Sequence, residues 1–259
     1  MIKKIETHID ELENMKKYPR ELFYIGNLEL LKNQKISIVG SRKPNQYARE
    51  YTHQLSHKLS QASVTIVSGG AMGVDAIAHK AAGTDNTIMV AATGLDKRYP
   101  ATNKTLITQI EQNGLVMSQF KPNTPSQKYN FPIRNELVVA LGDALIVTYA
   151  DLNSGTMRSV EYAIKMNKKI DVLPHRISQS VGTNKLVENG VAEMIFDIDR
   201  FVGTFAHATK TKNENLDNFL QFCQTNPTYE DAIKKFAHKV FEYELLGKIE
   251  IKNSKIFIV

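Results

Sequence analysis

The stretch VTIVSGGAMGVDAIAHKAA (64–82) begins as an almost unbroken β-rich run, turns on Gly69 and Gly70, and opens a helix at Gly73. A run apolar on both faces suits a strand buried within a parallel sheet. Ala78, Ala81 and Ala82 are small enough for the following helix to pack closely on that sheet. Paired glycines before a helix start expose backbone N–H groups, and the helix terminus adds partial positive charge, so the turn has the composition of an anion cradle. It is not a P-loop, because no Gly-Lys-Ser/Thr ending follows, and it departs from GxGxxG spacing. Asp75 reads as a helix cap or as a group that orients the loop. His79, one turn later, reads as a packed, hydrogen-bonded structural histidine.

The same rhythm extends to both sides. β-rich runs occur at 35–40 (KISIVG), 86–93 (NTIMVAAT), 114–120 (GLVMSQF), 144–150 (ALIVTYA) and 169–174 (KIDVLP). Helical segments are predicted at 46–60, 73–83, 102–112, 131–141 and 157–167. This alternation implies βαβ units and an α/β fold with a mostly parallel sheet. A helix at 183–189 and a peripheral strand at 194–198 (MIFDI) are expected to follow. Residues 1–34, with the sparse apolar set Ile5, Ile9, Leu12 and Met15, read as a helical cap. The main domain is expected over 35–204 and a polar linker over 205–214. A small unit over 215–259 has helices followed by the hairpin KIEIKNSKIFIV, the order of a winged helix.

Bulk properties exclude several classes. Hydrophobic residues at 42% and charged residues at 23% of 259 are ordinary for a soluble globular chain, which argues against disorder over most of its length. No apolar stretch reaches the ~18 residues of a membrane span, so no membrane insertion is expected. The start, MIKKIETHIDELENMKK, lacks the apolar core of a secretory signal. A single cysteine, Cys223, forms no internal disulfide, consistent with a reducing cytoplasm. The net charge of +6 permits polyanion binding but equally describes an ordinary basic protein. Lys165, Lys168 and Lys169 read as a solvated helix end.

Three further loops have phosphate-binding composition. Gly40-Ser41-Arg42 combines a tight turn, a hydroxyl donor and an always-charged fork. In the segment 128–135, Lys128 and Arg134 bracket aromatic residues and Pro132, next to Asn135; stacking faces between cations suit single-stranded nucleic acid, although Phe131 also fits a core. Asn153-Ser154-Gly155-Thr156 follows the 144–150 run, where Thr156 also fits a helix N-cap. Ligands bind at the carboxyl ends of strands in such sheets, so the four loops form one polyanion site if the strand order gathers them. No HExxH, EF-hand, zinc-type spacing or GxSxG elbow is present. Asp96 and Asp143 are too scattered to suggest a two-metal site, and Asp143 fits a turn before a strand. These absences argue against a metal site and lower the case for catalysis.

Taken in order, these motifs resemble the DprA family of DNA-processing proteins, also called Smf. The resemblance rests on Gly40-Ser41-Arg42, SGGAMGVDAIAHKAA (68–82), TGLDKRYPATNKTL (93–106), FPIRN (131–135), Ser154-Gly155-Thr156, KKIDVLP (168–174) and GTNKLVENG (182–190). It implies an extended Rossmann-like domain that binds and protects incoming single-stranded DNA in natural transformation. It also implies a homodimer that helps load the RecA recombinase, with no enzymatic turnover and no cofactor. Carried over by position, Arg42 would bind the DNA backbone, and Ser68, Gly69 and Gly70 would form a phosphate-binding floor. Lys128 would add a second positive contact, and Phe131 would shape the base-contact surface. Arg134 and Asn135 match the family motif as contacts or as organisers of the pocket, and Ser154, Gly155 and Thr156 would complete its rim. Pro174-His175 departs from the family's frequent Pro-Gly, and ELVVALG (136–142) departs from its usual following helix. LLGKIEI (245–251) resembles the family's small C-terminal winged-helix-like unit, and the tail's lysines are compatible with double-stranded DNA. The alternative is a phosphoribohydrolase-like enzyme acting on free nucleotides, with Glu161 as its carboxylate. That reading lacks the PGG element such enzymes carry.

Overall fold

Parallel pairing of buried strands organises the first part of the chain. The computed structural model describes residues 1–205 and 218–258, apart from 224, 246 and 253. It divides into two units, Met1–Phe205 and Ala206–Val259. Beyond Phe205, the expected linker lies outside the described residues, as do 215–217 and Asn253 of the expected hairpin turn.

The expected runs contain strands β3 (Lys35–Gly40), β4 (Thr65–Gly69), β5 (Thr87–Val90), β6 (Leu115–Ser118), β7 (Ala144–Tyr149) and β8 (Lys169–Val172). Between them lie α1 (Gln46–Gln61), α2 (Val74–Ala82), α3 (Lys104–Asn113), α4 (Asn130–Leu141) and α5 (Thr156–Lys165). After β8 come α6 (Val181–Glu188), the two-residue strand β9 (Glu193–Met194) and a helix over 198–205, here α7. The expected strand at 194–198 is therefore short. Ile195 turns into the core while Phe196 stands exposed, so pairing ends there.

The leading segment differs from expectation. Residues 1–34 hold no α-helix; they form β1 (Lys3–Lys4), β2 (Phe23–Gly26) and two 3-10 turns, Asp10–Asn14 and Leu28–Lys32. β1 pairs antiparallel with β2, and β2 pairs antiparallel with β6. Ile5, Ile9, Leu12 and Met15 are all buried in the main core, so their helix-like spacing reflects a folded-back segment rather than a cap. The buried ammonium of Lys35 anchors it, 2.7 Å from Glu11 and within hydrogen-bond distance of the Leu31 and Asn33 carbonyls. Burial opposes ionisation of Glu11, but the Lys35 hydrogen bond and charge outweigh it and hold its pKa below the usual value.

The sheet order is β1-β2-β6-β5-β4-β3-β7-β8-β9. From β6 to β9 every pairing is parallel. Pleating sends Ile36 and Ile38 to the face covered by α1 and α2, with Leu55, Leu59 and Val74. Val39 and Val67 turn to the other face, against Leu137 and Val138 of α4 and Val160 of α5. Asp143 closes the turn before β7 by accepting the Lys35 N–H at 3.0 Å, as its position suggested. The chain steps outward from β3 through β4, β5 and β6, then returns to the other side of β3 as β7. The loops after β3 and β7 leave in opposite senses, which opens a crevice at their carboxyl ends.

The second unit follows the expected order. It contains α8 (Asn218–Cys223), α9 (Tyr229–Leu245) and the antiparallel hairpin β10 (Ile249–Lys252) with β11 (Lys255–Ile258). Non-helical backbone at Phe236 (φ −143°) kinks α9. Phe219, Cys223, Ala232, Val240, Ile249 and Ile256 form a core of its own. Among the described residues, no helix is long and apolar enough to cross a membrane.

Candidate functional site

A cleft of about 460 Å³ occupies the crevice between the ends of β3 and β7. All four loops reach it. Gly40, Ser41 and Arg42 come from the end of β3, Gly69 and Asp75 from the β4–α2 turn, Phe131, Arg134 and Asn135 from the first turns of α4, and Ser154, Gly155 and Thr156 from the start of α5. An adjoining recess of about 40 Å³ includes Arg42, Gly70, Tyr99 and Phe131 in its walls.

The floor is set by a buried charged network. A Cβ on Gly69 would stand 2.3 Å from Arg134 Nη1 and 2.6 Å from Asp75 Oδ2, so the guanidinium and carboxylate fill the space a side chain would need. Arg134 Nη1 donates to the Val90 carbonyl at 2.8 Å, and its Nε donates to Asn135 Oδ1 at 3.1 Å. Asp75 Oδ2 accepts the Ala71 N–H at 3.3 Å, so Asp75 orients the loop. Burial pushes the Asp75 pKa up, opposed by the nearby Arg134 and Arg42 charges and the Ala71 N–H. Burial likewise pushes Arg134 down, opposed by Asp75. Each group's charge offsets part of the cost of burying the other, although burial remains the larger effect on both.

Two further connections fix the loop. Gly73 adopts φ +79°, and a Cβ there would lie 2.4 Å from the Ser41 carbonyl oxygen; only glycine lets the turns after β3 and β4 meet so closely. Asn103 Nδ2 donates to the Gly70 and Ala71 carbonyls at 2.9 and 3.1 Å. His79 is fully buried. Burial lowers its pKa to about 4, overcoming the opposing bond to Gly69, so the ring is neutral. The Gly69 carbonyl can only accept, so Nε2–H donates to it at 2.7 Å, while Nδ1 faces the Thr87 hydroxyl at 2.6 Å, a group that also reaches the Ile66 carbonyl at 2.8 Å. This is the structural role its sequence position suggested.

Above the floor the cleft is basic and aromatic. Arg42 is exposed, with its guanidinium carbon 5.3 Å from the Phe131 ring centroid. The Tyr99 ring lies 5.9 Å from the Phe131 ring between centroids. Thr156 is the first residue of α5 and Gly155 its cap, so the N-cap reading of Thr156 is displaced by one residue. Ser154, Gly155 and Thr156 at the start of α5 line the cleft, while the Met157 and Arg158 N–H groups bond back to the Ser154 and Gly155 carbonyls. Ser154 Oγ is buried with no hydrogen-bond partner among the described residues.

Three assignments change. Ser68 is fully buried and its hydroxyl donates to the Ile38 carbonyl at 2.6 Å; it ties β4 to β3 beneath the floor rather than facing a ligand. Gly70 borders the small recess rather than the main cleft. Lys128 is exposed just before α4 and does not line the cleft. Glu161, the carboxylate of the phosphoribohydrolase-like alternative, is absent from the lining and pairs with Arg158 at 2.8 Å. Sequence reasoning passed over Arg158, Tyr99 and Asn103. Tyr99 and Asn103 lie within the TGLDKRYPATNKTL motif, which was their available signal, whereas Arg158 had none beyond its closeness to Ser154-Gly155-Thr156. Among the described residues, no group of histidine, cysteine, aspartate and glutamate is placed to hold a metal ion.

Comparison with known proteins agrees with this geometry. Residues 4–206 match the family described as DNA recombination-mediator protein A. Protein Smf of Synechocystis sp. is 34% identical over 194 residues, which is 72% of this chain and 48% of that protein. DNA processing protein DprA of Streptococcus pneumoniae is 36% identical over 176 residues, 66% of this chain and 62% of that protein. The chain thus spans about half to somewhat under two thirds of these curated relatives. Among solved structures, DNA processing protein A from Helicobacter pylori, studied for its single-stranded DNA binding mode, superposes with a TM-score of 0.79 and 38% identity over 80% of this chain and 97% of that one. The DprA structure from Streptococcus pneumoniae gives a TM-score of 0.71 and 32% identity over 77% of this chain and 72% of that one. A match over most of the chain, on a sheet whose switch point gathers the same motifs, shows that the chain belongs to the DprA/Smf family of DNA recombination mediators.

Proposed function

We propose that the cleft binds single-stranded DNA without catalysis. The observation that carries this reading is the exposed Arg42 guanidinium beside the Phe131 ring, above a floor of backbone held by Asp75 and Arg134. A phosphate fits the Arg42 fork, in a cleft that the start of α5 also lines. A base fits against the neighbouring aromatic faces. Gly69, Ser41, Asn135, Ser154, Gly155 and Thr156 are at hand to shape the backbone path, and Lys128 adds charge outside the cleft. Asp75 and Arg134 are committed to the loop, which supports binding rather than chemistry. The Helicobacter pylori relative, described as binding single-stranded DNA, supports the same ligand.

In this reading the protein works in the cytoplasm, protecting incoming single strands during natural transformation. It acts as a homodimer and promotes RecA loading for recombination. These parts draw on the family resemblance. Light scattering tests the dimer, and a filament-assembly assay on coated strands tests RecA loading.

The first experiment is fluorescence anisotropy of a labelled single strand across a salt series, with unlabelled duplex as competitor. Tight binding that weakens with salt and resists duplex supports the site. No binding by folded protein at low salt rejects it, and release of free base from a nucleoside monophosphate would bring the enzymatic alternative forward.

A further inference from the structure

A second cavity opens beside the first at the carboxyl edge of the sheet. It measures about 690 Å³ and is bordered by Asn45, Gln46 and Tyr47 at the start of α1 and by Pro174, His175, Arg176 and Gln179 after β8. It contains the Pro174-His175 departure from the family pattern, which the first cleft does not explain.

His175 is the centre of an aromatic group. Its ring meets Tyr47 and Tyr149 edge-on, each at 5.3 Å between centroids, and Tyr51 lies 4.6 Å from Tyr47. Nε2–H donates to the Thr148 carbonyl at 2.8 Å. Nδ1 is buried without a hydrogen-bond partner among the described residues. Burial lowers the His175 pKa, opposed by the Thr148 bond, so Nδ1 carries a lone pair rather than a proton. Such an acceptor is satisfied by an N–H or O–H donor, which an ionised phosphodiester lacks and a nucleobase edge supplies. Arg176 is exposed at the rim and has no ion-pair partner among the described residues.

The two cavities share a support. The Tyr149 carbonyl accepts the Ser41 N–H at 2.9 Å while the Tyr149 ring backs His175. Asn45 Nδ2, at the far end of the loop that carries Arg42, donates to Gln179 Oε1 at 3.3 Å. Two residues, Lys43 and Pro44, separate Arg42 from Asn45, a span of at most roughly 11 Å. A strand lying on Arg42 is therefore within a short reach of the Asn45 edge of the second cavity.

We propose that this second cavity is a nucleobase subsite, which receives a base of the same single strand whose backbone lies on Arg42. Tyr47 offers the stacking face, the His175 ring offers an acceptor to the base edge, and Arg176 holds the adjoining phosphate. The inference rests on the single-strand reading of the first cleft and extends it by naming where the strand goes next.

The test compares two labelled oligonucleotides, of about 4 and about 16 nucleotides, on the full chain and on Tyr47→Ala, Arg176→Ala and Arg42→Ala. The expected result is that Arg42→Ala weakens both strands, while Tyr47→Ala and Arg176→Ala weaken only the longer one, by about fivefold or more. A longer strand carrying 5-iodouracil should also crosslink to Tyr47 on irradiation, read by mass spectrometry of the peptide. Arg176 is exposed, so its variant remains informative if Tyr47→Ala melts early. Unchanged affinity of Arg176→Ala for the longer strand, with no crosslink at Tyr47, overturns the subsite and leaves the first cleft standing. Equal loss on both lengths also overturns it, because the two cavities would then be one site. If wild-type protein binds neither strand, the single-strand reading fails and takes the subsite with it.

Discussion

At the scale of single residues, the site is defined by where side chains are forbidden and by where charge is buried. Gly69→Ala places a methyl group against Arg134 and Asp75. Overpacking of this kind costs about 1–3 kcal/mol, so urea denaturation should show a clear loss of stability. Gly155 has helical backbone (φ −61°) and nothing within 4 Å of its missing Cβ, so Gly155→Ala should be neutral or slightly stabilising. His79 makes a prediction about pH. Its folded pKa of about 4 lies below the ordinary 6.5, so between these values the unfolded chain binds a proton that the folded one does not. Its contribution is fully present above pH 6.5 and falls as pH drops toward 4, by about 3 kcal/mol across the window. Melting temperatures between pH 7 and 5 should fall more steeply for wild type than for His79→Leu; parallel curves would refute the assignment. Arg42 is the residue whose loss should register in salt. If it neutralises one phosphate of a single strand, Arg42→Ala lowers the slope of log affinity against log salt by about 0.7. An unchanged slope in a folded variant removes Arg42 from the backbone contacts.

At the scale of elements, the N-terminal segment carries the sharpest expectation. Leu12 reads in sequence as one of a few apolar residues on a polar cap, yet it is fully buried against the main core. Leu12→Ala should therefore cost about 2–5 kcal/mol, as for a central core leucine, and calorimetry distinguishes this from the near-zero change of a surface cap. The contrast shows what kind of element a single sequence discloses. KISIVG and ALIVTYA are buried on both faces, and their near-continuous apolar character announces strands without knowledge of partners. Phe23–Gly26 is half-buried and pairs with β6 from far along the chain, so its strand character depends on a neighbour the local pattern does not contain. The same division applies to the site. Its glycines and Arg42 stand in contiguous motifs and were legible. That Arg134 lies against Gly69, that Ser68 faces inward, and that Lys128 stands apart from the cleft follow from strand order and pleat, which composition does not encode.

At the scale of the whole molecule, the contacts proposed for the first cleft all fall within Met1–Phe205, and the unit from Ala206 onward holds a separate core around Phe219, Val240 and Ile256. Two cores of this kind do not require each other for burial, so each unit is expected to unfold with its own stability. A chain ending at residue 205 should keep the thermal transition of the first unit and should bind single strands within about threefold of the full chain, well under 1.4 kcal/mol. Its behaviour toward duplex separates two roles for the tail. If the hairpin-bearing unit contacts duplex, truncation should lower affinity for duplex while sparing the single strand. If the tail instead stabilises assembly of the protein, truncation should change mass in light scattering and lower affinity mainly for strands long enough to engage two copies, through lost effective concentration rather than lost contacts. A fall in affinity for short strands would contradict both roles, because it would place a strand-binding surface in a unit that lacks every residue of the cleft.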